Sequence, residues 1–121
     1  RASVSNYPSS PKSRTIPSNK SPSARYIHMT ITRINEFQAS SGNETALWEI
    51  MKEVKQVVLS NKGAINCQAL QNQDDPTKMI VIEQWESMEA HQTAAQKIPA
   101  YLFEQAMKLV AQRPTGAYYH D

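Results

Sequence analysis

Residues 78–85, KMIVIEQW, constrain the fold more than any other stretch of the chain. Read as a strand, Met79, Val81 and Trp85 point to one face while Ile80 and Ile82 point to the other, because successive side chains alternate. An antiparallel sheet with one wet face alternates apolar with polar residues. A strand that is apolar on both faces needs cover on both. Helices supply one cover, and a second copy of the chain is the simplest supply of the other. The strand therefore predicts a homodimer packed through its sheet faces.

The segments around it fall into a definite order. MTITRINEF (29–37) alternates and is rich in β-branched residues, which predicts a first strand. After the polar loop SSGNET, the apolar positions Leu47, Ile50, Met51, Val54, Val57 and Val58 recur at spacings of three and four, one face of a helix reaching about Asn61. Gly63 stands where a C-terminal cap is wanted. AINCQALQ (64–71) is a second strand, joined to KMIVIEQW by NQDDPT, in which Asp74 and Asp75 can bond local backbone and Pro76 restricts φ. SMEAHQTAAQ (87–96) opens on a Ser cap, and Pro99 starts a further helix with Leu102, Phe103, Ala106, Leu109 and Val110 as its buried stripe. TGAYYHD (115–121) completes the set as a last strand. The order is β-α-β-β-α-β, an α+β chain with the antiparallel sheet of the ferredoxin-like split βαβ arrangement.

The 121 residues argue for one domain, preceded by a tail of different character. Residues 1–28 hold eight Ser, four Pro, five Lys or Arg and no acid, with too few large apolar side chains to offset the entropy of ordering them. A vector-derived remnant, a targeting segment and a linker are the readings of this tail, and Met29 reads as a natural start of the domain 29–121. That domain carries eight Lys or Arg against eleven Asp or Glu, net −3, so the basic balance belongs to the tail and no nucleic-acid partner is expected. Its 93 residues bury roughly 60–65% of the unfolded surface, a thin core that oligomerisation would help. The single Cys67 excludes an internal disulfide and a Cys-rich zinc site and fits a reducing, cytoplasmic compartment. No apolar run is long enough to span a membrane.

DDPTKMIVIEQWESMEAH (74–91) resembles the antibiotic biosynthesis monooxygenase family, with its D-x-P, strand, E-x-W, and S-x-E-A at a helix start. Gly42 and Gly63 also suit that family, and the resemblance runs over residues 29–120. It implies a dimeric α/β-barrel in which two ferredoxin-like sheets meet face to face. It also implies oxidation of quinol-like or phenolic aromatics by O₂ with neither metal nor flavin, an electron-rich anion being able to give an electron to O₂ itself. The protein then binds the aromatic, assists its deprotonation and stabilises the anion in a dry pocket. Haem-degrading relatives use an Asn, a Trp and a His. Asn35 falls at the first of these positions, but Ala94 and Glu104 fall at the other two, which argues against haem degradation. Many members carry a His at the Ala94 position, and here His91 lies three residues earlier.

Asn35 shares strand parity with Ile31 and Phe37 and is expected to face the core, either bonded to backbone or water or orienting a substrate. The resemblance favours the second role. His91 is either a boundary histidine or a general base or donor for a phenolic proton. Trp85, Met88, Phe103 and Phe37 are expected to line the substrate site. Glu83 lies on the Trp85 face; a solvent-exposed or salt-bridged carboxylate at the sheet's end is preferred over a buried base. Cys67 is read as a small core residue, Trp48 as half-exposed or at a subunit interface, and one of Tyr118 and Tyr119 as reaching a pocket or a partner. His28 and His120 carry little weight, and no His and carboxylate grouping has metal spacing. The expected function is a cofactor-independent monooxygenase for a small aromatic substrate and O₂. A small-carbonyl isomerase and a non-catalytic ligand-binding dimer are the alternatives.

Overall fold

The computed structural model describes residues 30–121. Expectations for the tail, His28 and Met29 lie outside the described residues. The elements are β1 (Ile31–Gln38), α1 (Glu44–Leu59), β2 (Ala64–Gln71), β3 (Lys78–Trp85), α2 (Met88–Ala95), α3 (Ala100–Met107) and β4 (Thr115–Tyr119). The strands form one antiparallel sheet in the order β2-β3-β1-β4, the ferredoxin-like arrangement.

Register carries the side-chain parity across the sheet. Ile31 pairs with Trp85, Arg33 with Glu83, Asn35 with Val81 and Phe37 with Met79. On β2, Cys67 pairs with Glu83 and Ala69 with Val81. On β4, Tyr118 pairs with Arg33 and Gly116 with Asn35. This face meets the helices, and Leu47, Ile50, Met51 and Val58 of α1 are buried with Met79, Val81, Trp85, Leu102 and Ala106. Fully burying side chains of this size stabilises by about 1.5–3 kcal/mol each. Cys67 is a buried core residue, and Trp48 is partly buried against the core.

The opposite face carries Ile34, Ile80 and Ile82, with exposed Leu70 and Tyr119. The expected barrel is corrected here. The sheet is open, with β2 and β4 at opposite edges separated by β3 and β1, so four strands do not close upon themselves.

Several joints differ in detail from the sequence reading. α1 ends at Leu59 with Ser60 as its cap, so Gly63 does not close the helix. Gly63 has φ +91°, and a Cβ there would come within 2.7 Å of Ala90 Cβ, so the bare backbone gives α2 its seat. In the β2–β3 turn, Asn72 Oδ1 accepts the N–H groups of Asp74 and Asp75, both at 2.8 Å. Asp75 Oδ1 accepts from the Thr77 N–H at 3.1 Å and its hydroxyl at 2.6 Å. Asn72 thus takes the role expected of Asp74. Ser87 caps α2 as its residue type predicts, its side chain accepting from the Ala90 N–H at 3.0 Å, a contact worth about 1 kcal/mol. The last helix stops at Met107, and Val110 instead bridges to Ala39. Phe103, expected in the buried stripe, is 61% exposed. Among the described residues no helix is long and apolar enough to cross a membrane.

Candidate active site

A pocket of about 460 Å³ opens between the helix-facing side of the sheet and the three helices. Its walls are largely apolar, including Val54, Ile98, Leu102, Phe103 and Met107. Arg33, Asn35, Glu83 and His91 place a polar group among them. Each arrives there by strand parity or helix position. Arg33 and Asn35 lie two apart on β1, Glu83 and Trp85 two apart on β3, and His91 follows the Ser87 cap by four residues on α2.

These side chains form a connected network. Arg33 Nε donates to Asn35 Oδ1 at 3.1 Å, and Asn35 Nδ2 donates to Glu83 Oε2 at 3.1 Å. Trp85 Nε1 donates to the other oxygen, Glu83 Oε1, at 2.8 Å. His91 Nε2 lies 3.8 Å from Glu83 Oε1, and His91 Nδ1 lies 2.6 Å from the Tyr118 hydroxyl. The imidazole stands edge-on to both rings, with centroids 5.5 Å from Trp85 and 5.2 Å from Tyr118. The Arg33 guanidinium lies over the Tyr118 ring at 4.7 Å, a cation–π contact. Gly116 makes room for this: a Cβ there would overlap the Arg33 guanidinium and the Asn35 amide oxygen.

Burial sets the proton affinities. Glu83 is only 5% exposed, and desolvation pushes its carboxyl above the usual range, opposed by the Trp85 N–H and by Arg33. His91 is held below its ordinary value, first by desolvation and then by Arg33, so near neutral pH it is uncharged. Cys67, opposite Glu83 on β2, is pushed up to about 12 by burial, with the nearby Glu83 adding to the rise. A neutral imidazole beside a buried, donor-ringed carboxylate can move a proton to or from a ligand in the pocket. Among the described residues, no three His, Cys, Asp or Glu side chains are grouped so as to hold a metal ion. A second hollow of about 560 Å³, around Gln38, Gln71 and Lys78, contains no buried titratable group in its lining.

Of the residues singled out from sequence, Asn35, His91, Trp85, Phe37 and Phe103 line the one pocket, whereas Met88 is half-buried and does not line it. Glu83 corrects the expectation of a solvent-exposed or salt-bridged carboxylate, because α2 and Trp85 cover the end of β3 where it sits. Tyr118 turns to the helix-facing side and Tyr119 to the open one. Sequence reasoning missed Arg33 and Gly116. Arg33 shares the parity of Ile31 and Asn35, which was the available signal, but Gly116 carried none. Ala94 is buried in the pocket wall, and His91 enters from nearly one turn earlier in the helix.

The sequence profile of the antibiotic biosynthesis monooxygenase family matches residues 30–102. No curated protein sequence matches the chain. Among solved structures, one from Pseudomonas aeruginosa is 19% identical with a TM-score of 0.69, covering 78% of this chain and 96% of its own. A proposed antibiotic biosynthesis monooxygenase from Nitrosomonas europaea is 17% identical with a TM-score of 0.70, covering 78% and 91%. A variant of SnoaB, a cofactor-independent oxygenase from Streptomyces nogalater, is 14% identical with a TM-score of 0.66, covering 76% and 92%. At these identities the likeness shows the fold. The chain belongs to the antibiotic biosynthesis monooxygenase family, and its general activity is that of this oxygenase class.

Proposed function

We propose that the chain is a cofactor-independent monooxygenase acting on a quinol-like or phenolic small molecule. The observation that carries this reading is a proton-handling group, Asn35, Glu83 and His91, set in a largely apolar pocket with aromatic side chains in its walls. Phe37, Trp85 and Phe103 flank a planar ring. Asn35 keeps a second amide hydrogen to orient the substrate hydroxyl. His91 faces that hydroxyl as base or donor, and the Arg33 charge favours the anion once the proton has left. The anion gives an electron to O₂, and combination of the resulting radicals forms a peroxide. Once that peroxide has taken up the proton, its O–O bond and the C–H bond at the same carbon break, and loss of water leaves a carbonyl. Two copies pairing through the apolar open faces of their sheets would cover Ile34, Ile80, Ile82 and Leu70.

The test is O₂ uptake by the full chain, with metals chelated, on a panel of hydroquinones, naphthols and polyphenols. Uptake well above autoxidation, lost in Asn35→Ala and His91→Ala with the fold intact, is the expected result. Background uptake across the panel would sink the quinol reading. Turnover of a small carbonyl compound without O₂ would replace it with isomerisation.

A further inference from the structure

Among the described residues, Glu83 is the one buried polar or charged side chain, and the reading above gives it no step of its own in the reaction. A buried carboxylate kept for structure alone is normally neutral or paired directly with an opposite charge. Glu83 has a different setting. Its two oxygens accept from neutral donors, the Trp85 indole at 2.8 Å and the Asn35 amide at 3.1 Å. Arg33 is kept one group away, because its Nε donates to Asn35 Oδ1 while Asn35 Nδ2 donates to Glu83. The amide is thus interposed between the cation and the carboxylate. A direct, two-pronged arginine pair would depress the proton affinity of the carboxylate too far for it to act as a base. The interposed amide weakens that effect, and each oxygen retains a second lone pair that can face the pocket.

His91 is oriented to match. Tyr118 has one hydroxyl proton, and among the described residues its hydrogen-bond neighbour is His91 Nδ1. Donating that proton makes Nδ1 an acceptor and puts the ring hydrogen on Nε2, which lies 3.8 Å from Glu83 Oε1. The other tautomer would set a lone pair against an ionised carboxylate.

We infer that Glu83, rather than His91, accepts the proton of the substrate hydroxyl, with Tyr118 holding His91 as an Nε2–H donor and Asn35 spacing Arg33 away. This rests on the oxygenase reading and assigns its proton transfers. The substrate O–H bond breaks and Glu83 gains the proton, leaving the anion that reduces O₂. The peroxide anion later takes the proton back from Glu83, and the hydroperoxide loses water to leave the carbonyl. Among the described residues, the charged and titratable groups around Glu83 are Arg33 from β1, Cys67 from β2, His91 from α2, Tyr118 of β4 behind His91, and Lys55 of α1 beyond Cys67. Cys67, at about 12, stays a thiol throughout the assay range.

The test is the pH profile of kcat/KM for O₂ uptake on dihydroxynaphthalene, using the full chain and the variants Glu83→Gln, Glu83→Asp, His91→Gln and Tyr118→Phe. Glu83→Gln is expected to lose at least ~100-fold in kcat together with the acid limb. Glu83→Asp restores the limb at a reduced rate. His91→Gln, which keeps an N–H near the Nε2 position, retains the limb, and Tyr118→Phe lowers kcat without removing it. Loss of the limb in His91→Gln with its survival in Glu83→Gln overturns the inference and leaves the oxygenase reading standing. No uptake by the wild type on any member of the panel overturns both. Should Glu83→Gln fail to fold, Trp85→Phe decides: the limb moves to higher pH if Glu83 is the base, and an unmoved limb overturns the inference.

Discussion

Trp85 donates its indole N–H to Glu83 Oε1 at 2.8 Å from two residues further along the same strand. Both side chains lie on the helix-facing side of β3, so donor and acceptor are matched within one element before any helix docks. The indole also stands edge-on to His91, which links the carboxylate's hydrogen bond to the packing of α2.

Replacing Trp85 by Phe keeps much of the packing and removes the donor. A hydrogen bond to a charged group contributes about 1.5–3 kcal/mol, so stability near neutral pH falls by about that amount. Losing a donor to the ionised form raises the Glu83 pKa further. The destabilisation therefore shrinks once acid has protonated the carboxyl in both proteins. Urea unfolding of wild type and variant across the acidic range checks both the size and the trend.

His91 and Glu83 give stability opposite slopes against pH. The folded pKa of His91 lies below its ordinary 6.5, so its contribution is whole above pH 6.5 and is lost as pH falls through the folded value. The folded pKa of Glu83 lies above 4.5, so its contribution is whole below pH 4.5 and is lost as pH rises through the folded value. His91→Phe removes the first effect. Its urea midpoint, followed as pH falls from 6.5, drops less steeply than that of the wild type.

Gly116→Ala tests how Arg33 is seated. The new methyl overlaps the guanidinium and the Asn35 oxygen. The end of a flexible arginine can move, so the stability cost is about 1 kcal/mol, the low end for overpacking. Displacing Arg33 removes the charge that helps to depress His91, and its pKa rises towards 6.5. Proton NMR titration of the imidazole reads that shift without turnover.

Phe103 and Met88 separate pocket from fold. Phe103 is 61% exposed and lines the pocket, whereas Met88 does not line it. Phe103→Ala changes stability by no more than ~0.5 kcal/mol, as exposed substitutions do, but raises KM several-fold. Met88→Ala leaves KM unchanged. Steady-state O₂ uptake distinguishes the two.

Cys67 is 2% exposed, and burial pushes its thiol up to about 12. A disulfide reagent that needs the thiolate leaves it unlabelled in the native protein near pH 8 and labels it as urea unfolds the chain. Labelling without denaturant would contradict the buried placement.

Much of the fold was legible because its signals are local. The three- and four-residue spacing from Leu47 to Val58 marks α1, the alternation in β1 gives its parity, and the apolar β-branched run of β3 marks it as a strand apolar on both faces. Ser87 marks the start of α2 through a single side-chain bond. The same parity put Asn35 and Trp85 on the core face. It also placed Glu83 there, but the rarity of buried carboxylates outweighed it. Phe103 went the other way: its spacing matched a buried stripe, yet that side of the short last helix meets solvent at the pocket.

Sequence by itself determined the order of elements and the direction each strand side chain takes, since both follow from backbone periods of 2.0 and 3.6 residues. Tertiary structure alone decided which of those side chains meet. Strand order β2-β3-β1-β4 sets Arg33 beside Gly116 and Tyr118, and docking of α2 brings His91 within reach of residues 8 and 27 positions away, Glu83 and Tyr118. It also left the sheet open where a closed barrel was expected. Periodicity fixes which way a side chain points; distances between remote segments depend on pairing and packing energies summed over the whole chain, which no local pattern carries.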